Sequence, residues 1–235
     1  MNDLYQAKVE QNVEYYGFVR TDVTDFIANY FSQHKISKQS CNALEVGSGG
    51  GGTGRLIKEK FGISKYTGVE LMPEIALSAK KNIDISICGD FEKMMEVNNF
   101  EGIDKEKYGM ILFLDTLEHL YHPWNVLKKV RNWMDDDGYL VLSIPNSGHI
   151  SIIKKLLTDK FQYEKSGLLD FTHIRFFTFS TIKKMLEDNG YEIAEYTTLN
   201  DFKILKIKLF NFITFGAFKK QFISSYTLIA KKKKA

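Results

Sequence analysis

Leu44-Glu-Val-Gly-Ser-Gly-Gly-Gly-Gly-Thr-Gly54 is the stretch on which the fold turns. Residues 42–46 read as a short apolar strand, the glycine cluster as a tight turn, and about 53–61 as a helix. Strand, glycine turn and helix in that order form the ligand-binding entry of open α/β sheets. Glycine adopts positive φ without strain and lets a ligand approach the backbone.

A bare G-x-G-x-x-G is shared by many nucleotide binders. Glu45, two residues before Gly47, narrows the choice. A pyrophosphate seated on the helix N-terminus at this turn would be repelled by that carboxylate. A cationic ligand, such as the amino group of a methionine moiety, would be favoured.

Outward from this point, strands and helices alternate. Strands are predicted at 65–70, 84–88, 108–115 and 139–144, and helices at 20–33, after Pro73, after Asp90 and over 123–134. Asp135-Asp-Asp-Gly138 reads as a turn. The near-continuous apolar run of the fourth strand suits a central position covered on both faces. The last third carries a helix at 150–158, a loop to about 178, a helix at 181–189 closed by Gly190, and strands at 191–198 and 224–230. Between those strands, residues 202–218 are apolar and studded with lysine at helical spacing. The pattern is that of a doubly wound, mostly parallel α/β sheet with helices on both faces.

At 235 residues, 44% hydrophobic, the chain fits one domain, divided as an N-terminal helical cap (1–40), a cofactor-binding core (41–146) and a substrate-side segment (147–235). The polar N-terminus lacks an apolar signal region, and Cys41 and Cys88 lie in or beside predicted strands, so a cytoplasmic location with reduced thiols is expected. The net charge of +3 is uneven: nine Lys and one Asp give the stretch from Asp201 onward +8, leaving −5 on residues 1–200. An acidic body argues against nucleic acid as a partner, since phosphate binding wants a basic face. For 202–220, core packing with solvated lysines is the stronger reading and peripheral membrane contact the weaker.

Acids recur in register with the glycine turn. Glu70 ends the second strand 19 residues after Gly51, where a carboxylate can accept from both ribose hydroxyls. Asp90 follows the third strand after 20 more residues and can accept from an adenine amino group, with Phe91 flanking the ring. Asp115 ends the fourth strand and opens the crevice. A strand-end Asp is also a common helix N-cap, a reading of equal weight for Asp90.

These motifs together resemble the class I methyltransferases that use S-adenosylmethionine. The matching segments are Leu44-Glu-Val-Gly-Ser-Gly49 (with Glu where Asp is commoner), Gly68-Val-Glu-Leu71, Gly89-Asp-Phe91, Asp115-Thr-Leu-Glu-His-Leu120 and Asp137-Gly-Tyr-Leu-Val-Leu-Ser-Ile-Pro-Asn146, within about 40–200. The run Gly49 to Gly52 departs from the pattern and blurs which glycine meets the ligand. The resemblance implies a seven-stranded sheet with an antiparallel last strand, S-adenosylmethionine as cofactor and S-adenosylhomocysteine as product. It implies cofactor contacts from Glu45, Gly47, Ser48, Gly49, Gly51, Glu70, Leu71, Asp90, Phe91 and Asp115.

A sulfonium methyl is already activated, so the enzyme mainly aligns a nucleophile, and a hydroxyl or ammonium acceptor also needs a base. The expected catalytic residues are His119 and His173. Ser166-Gly-Leu-Leu-Asp-Phe-Thr-His-Ile-Arg-Phe-Phe177 concentrates Asp170, His173 and Arg175 among aromatics, as expected of a loop covering the crevice or of a network that pins it. It resembles a segment of bacterial methyltransferases encoded near cell-surface polysaccharide functions, which implies a small-molecule or saccharide acceptor methylated on oxygen. Asp115, Glu118 and His119 form D-x-x-E-H, a spacing that can hold a divalent ion with His173. The spacing is similar to that of small-RNA 2′-O-methyltransferases and ubiquinone-pathway O-methyltransferases, and the former keeps ribose methylation as the alternative. Leu-Glu-His-Leu is common in members of this fold that need no metal, and no metal ligand is assigned from the sequence. Further alternatives are a non-catalytic adenosyl-binding module and a nicotinamide-dependent oxidoreductase, the latter disfavoured by Glu45.

Overall fold

The computed structural model describes residues 18–36, 41–100, 102–103, 106–199 and 218–234. The apolar stretch 202–218 lies outside them except for Phe218, as do residues 1–17 of the N-terminal cap. The elements run α1 (Thr21–Gln33), β1 (Asn42–Val46), α2 (Gly52–Phe61), β2 (Lys65–Glu70), α3 (Pro73–Ala79), β3 (Ile85–Cys88), α4 (Phe91–Glu96), β4 (Tyr108–Leu114), α5 (Pro123–Arg131), β5 (Met134–Pro145), α6 (Ile150–Leu157), α7 (Phe179–Asp188), β6 (Tyr191–Leu199) and β7 (Ser225–Lys232). A single 3₁₀ turn, Leu117–His119, links β4 to α5.

The seven strands form one sheet in the order β3-β2-β1-β4-β5-β7-β6. The pairings from β3 to β5 are parallel, and β7 runs antiparallel between β5 and β6. Alternation along the central strands sends side chains into two cores. Ile111 and Phe113 face the layer with Val126, Val130 and Met185, whereas Met110, Leu112 and Leu114 face the layer with Ile27, Ile57 and Phe61. Both faces are covered, which is why β1 and β4 read as apolar runs. The chain reverses strand order at β1 and β4, and their carboxyl ends form the crevice where open α/β sheets bind ligands.

The acidic run 135–138 is not the expected turn. It lies within β5, where Tyr108 pairs with Met134 but Met110 pairs with Tyr139, so β5 advances five residues against two and the acidic residues bulge. Gly138 is needed there, because a Cβ would lie 2.8 Å from Met134 Cγ and 3.0 Å from the Asp135 carbonyl. The last helix begins at Phe179, before the expected 181, where Thr178 and Thr181 form a capping box.

Candidate active site

The crevice holds a cavity of about 500 Å³ at the carboxyl ends of β1, β2 and β4. The glycine turn forms its floor. Gly47 has φ +78°, and a Cβ there would stand 2.5 Å from Thr116 Oγ1. The Thr116 hydroxyl donates to the Val46 carbonyl at 3.0 Å, locking the turns after β1 and β4 together. Gly47 and Ser48 N–H groups both donate to the Val69 carbonyl, at 2.8 and 3.1 Å.

The glycine run resolves into distinct tasks. Gly47, Gly49 and Gly52 line the cavity together with Ser48. Gly51 does not, contrary to expectation. It caps α2 in the left-handed conformation with φ +75°, and its open side faces Asn82, Ala79 and Ile83. Its role is to turn the chain into the helix.

The expected acids line the cavity, each held by a different device. Glu45 is buried and accepts from the Tyr66 hydroxyl at 2.8 Å. Burial, reinforced by Glu70 and opposed by the Tyr66 hydrogen bond and Arg20, pushes its pKa up to about 8. Glu70 accepts from Gly49 N–H at 2.9 Å on one oxygen and from Met72 N–H at 3.0 Å on the other. Burial raises its pKa against those backbone donors. Each oxygen keeps a second lone pair for a ligand. Asp90 caps α4, accepting from Glu92 and Lys93 N–H at 3.0 and 3.2 Å, and lines the cavity as well. Leu71 and Phe91 complete this wall. The Phe91 ring turns into the core against Phe100 and Trp133, with centroids 6.0 and 6.1 Å away.

Asp115 has φ +50°, a rare conformation for a non-glycine residue and one that concentrates at functional sites. It pairs with Arg20 and accepts from Ser143 Oγ at 2.7 Å. The rest of the Arg20 guanidinium is taken by Asp22 at 2.9 Å, so the arginine ties the start of α1 to β4 and β5. Arg20 N–H also donates to Thr53 Oγ1 at 3.0 Å. Sequence reasoning missed Thr116 and Ser143. A lone serine in the apolar run Leu140-Val-Leu-Ser-Ile144 was the available signal.

Opposite lies the expected histidine pair. His119 lines the cavity and His173 does not; it packs behind, its ring 4.8 Å from that of His119. His119 Nδ1 lies 3.0 Å from the Thr172 carbonyl and His173 Nδ1 3.3 Å from the Leu168 carbonyl. A carbonyl only accepts, so both rings carry a proton on Nδ1, and in the neutral form Nε2 is the lone-pair nitrogen. Glu118, 1% exposed, lies beside them with its Oε1 3.9 Å from His173 Nε2. Burial, then Asp115, pushes its carboxyl well above the usual range. The loop is pinned by main-chain bonds from Ile174 and Arg175 to the Glu118 carbonyl, at 3.0 and 2.9 Å, and by Asp170 accepting from Thr172 N–H and Oγ1 at 2.9 and 2.7 Å. Asp170 thus serves the loop network. His34 and His122 are exposed, and buried His149 caps α6.

Residues 15–196 match a family described as a methyltransferase domain. A curated relative, N-methyltransferase 4 of Papaver somniferum, is 27% identical over 112 residues, covering 44% of this chain and 30% of that protein, so the match spans under a third of its length. Among solved structures, an S-adenosylmethionine-dependent methyltransferase from Clostridium acetobutylicum has a TM-score of 0.61 at 13% identity, with 99% of both chains covered. A SAM-dependent methyltransferase from Archaeoglobus fulgidus has a TM-score of 0.59 at 16% identity, covering 88% of this chain and 94% of that one. The plantazolicin methyltransferase BpumL in complex with SAH has a TM-score of 0.58 at 15% identity, covering 99% and 90%.

Proposed function

The chain belongs to the class I S-adenosylmethionine-dependent methyltransferases, and from that premise we propose that it methylates an oxygen of a small-molecule or saccharide acceptor. The cavity fits the cofactor by its own chemistry. Gly47 lines the cavity with its backbone while its open side packs on Thr116, and carboxylates outnumber the one arginine, Arg20, among the lining residues. In this reading Glu70 takes the ribose hydroxyls on its two remaining lone pairs. Asp90 takes the adenine amino group on the oxygen that does not cap α4. Glu45 faces the cationic amino-acid end, where its buried carboxylate gains the counter-charge it lacks. Gly47, Ser48, Gly49, Leu71 and Phe91 shape the walls, and Asp115 with Arg20 closes the end beside β4. The bound cofactor supplies an activated methyl, and the chain's task is to hold an acceptor in line with it.

The observation that carries the oxygen reading is the tautomer of His119. Its Nδ1 proton is committed to the Thr172 carbonyl, so Nε2 is the basic nitrogen on the residue that lines the cavity. A hydroxyl loses its proton during methylation, and an imidazole held in place through Nδ1 is suited to accept it on Nε2. His173, outside the cavity, supports the loop that holds His119. The −5 charge on residues 1–200 favours a neutral or cationic acceptor over RNA. Among the described residues no helix is long and apolar enough to cross a membrane. Transfer of labelled methyl from S-adenosylmethionine to a panel of saccharides, phenols, amines and RNA tests the reading. Label in alkali-stable methyl ethers of saccharides or phenols is expected; label confined to amines or RNA would overturn it.

A further inference from the structure

We propose that Glu118, His119 and His173 form a binding site for one divalent first-row transition-metal ion beside the cavity. The three side chains offer ligand atoms that all lie within 4.8 Å of one another. Both oxygens of Glu118 are buried and lack a hydrogen-bond partner among the described residues. A buried carboxylate without donors is costly and demands a compensating positive group. His173 Nε2, at 3.9 Å from Glu118 Oε1, is beyond hydrogen-bond length. The imidazoles are set as metal ligands are. Each anchors Nδ1–H on a main-chain carbonyl, Thr172 for His119 and Leu168 for His173. That second contact fixes the tautomer and directs the basic Nε2.

The donor set selects the ion. Two imidazoles and one carboxylate suit Zn²⁺, Co²⁺, Mn²⁺ or Fe²⁺ and leave positions open for water or another oxygen ligand. Mg²⁺ and Ca²⁺ prefer all-oxygen shells. Asp115, four residues before His119 in the D-x-x-E-H stretch, is not one of the set, because Arg20 and Ser143 hold it. The ion would take the same His119 Nε2 lone pair that serves as the base in the proposed methylation, so the two roles belong to mutually exclusive states of that nitrogen, and the metal site does not depend on the identity of the acceptor.

Full-length protein, stripped with chelator and dialysed, is titrated with Co²⁺ and followed by its visible d–d absorption, by bound metal per chain and by the shift in melting temperature. The expected result is one Co²⁺ per chain, displaced by Zn²⁺ and not by Mg²⁺. Glu118→Gln and His173→Gln should weaken Co²⁺ by about 100-fold or more, exceeding the effect of losing an outer-shell partner. Calorimetry with S-adenosylhomocysteine reports on the folded cofactor site of each variant and separates metal loss from unfolding. A wild-type protein that binds S-adenosylhomocysteine yet shows neither a Co²⁺ band nor stoichiometric metal overturns the proposal, and the cluster is then a proton-sharing carboxyl–imidazole pair. Co²⁺ binding that survives in both variants overturns it equally.

Discussion

On the side of the crevice built from β1, β2 and β3, every cavity carboxylate has a donor. Glu45 has Tyr66 on the adjacent strand, Glu70 has the backbone of Gly49 and Met72, and Asp90 has the first turn of its own helix. Across the crevice, after β4, Glu118 has none among the described residues. Its neighbours arrive from far along the chain: Thr172, bonded to His119, is 53 residues away. The first side is assembled by short-range geometry and is ready for a ligand with many hydroxyl and amino groups. The second is assembled by a distant loop and leaves basic nitrogens and carboxylate oxygens facing one another. The two sides can therefore be perturbed independently.

The sharpest break of that comparison is His119→Ala. If the far side carries chemistry, turnover should fall by about 100- to 10,000-fold while S-adenosylhomocysteine affinity changes less than tenfold. A parallel collapse of affinity and turnover would show that the two sides work as one. Glu70→Ala should do the reverse, weakening S-adenosylhomocysteine by about 100-fold in calorimetric titration, since it removes two hydrogen bonds to a charged acceptor.

Gly68→Ala probes the rigidity of the cofactor side, where the new methyl would stand 2.5 Å from Ser48 Oγ and 2.6 Å from Ile83 Cδ1. Overpacking of this kind should cost about 1–3 kcal/mol in urea unfolding. Gly62→Ala, with φ +68° and nothing within 4 Å, isolates the backbone contribution and should cost about 1 kcal/mol.

Glu45 spreads its effect over several pH units. Its folded-state pKa of about 8 lies above the unfolded value of 4.5, so the native chain keeps a proton that the unfolded chain has released. Ligand-free stability should thus be complete below pH 4.5 and fall as pH rises toward 8, by up to about tenfold in the folding equilibrium per pH unit. Glu45→Gln should flatten that slope. In the wild type, cofactor binding at pH 6–7 should release about one proton as the cationic end stabilises the carboxylate, measurable in buffers of different ionisation enthalpy.

Most of the framework was legible because it is local. The strand, glycine turn and helix around Gly47, and the spacing to Glu70 and Asp90, follow from short-range periodicity and turn chemistry. Asp135-Asp-Asp-Gly138 was misread because a polar glycine-ended run looks the same as a turn or as a bulge, and only pairing with β4 distinguishes them. That Gly51 turns away from the cavity was not legible, because residue type says that positive φ is allowed and not which way the open side points. His173 was placed near His119, but its position behind rather than in the cavity depends on how the loop 159–178 packs.

The sequence by itself determined the sheet, its two cores and the positions of the cofactor-side acids, because periodicity and glycine conformation act over a few residues. Tertiary structure alone decided that Asp115 belongs to Arg20 and Ser143, that both histidines are anchored through Nδ1, and that Glu118 lies buried without a donor. Apart from the His173–Leu168 contact, which spans five residues, those outcomes depend on which atoms meet across 28 to 123 residues of chain, where burial and the directionality of hydrogen bonds decide and residue order does not.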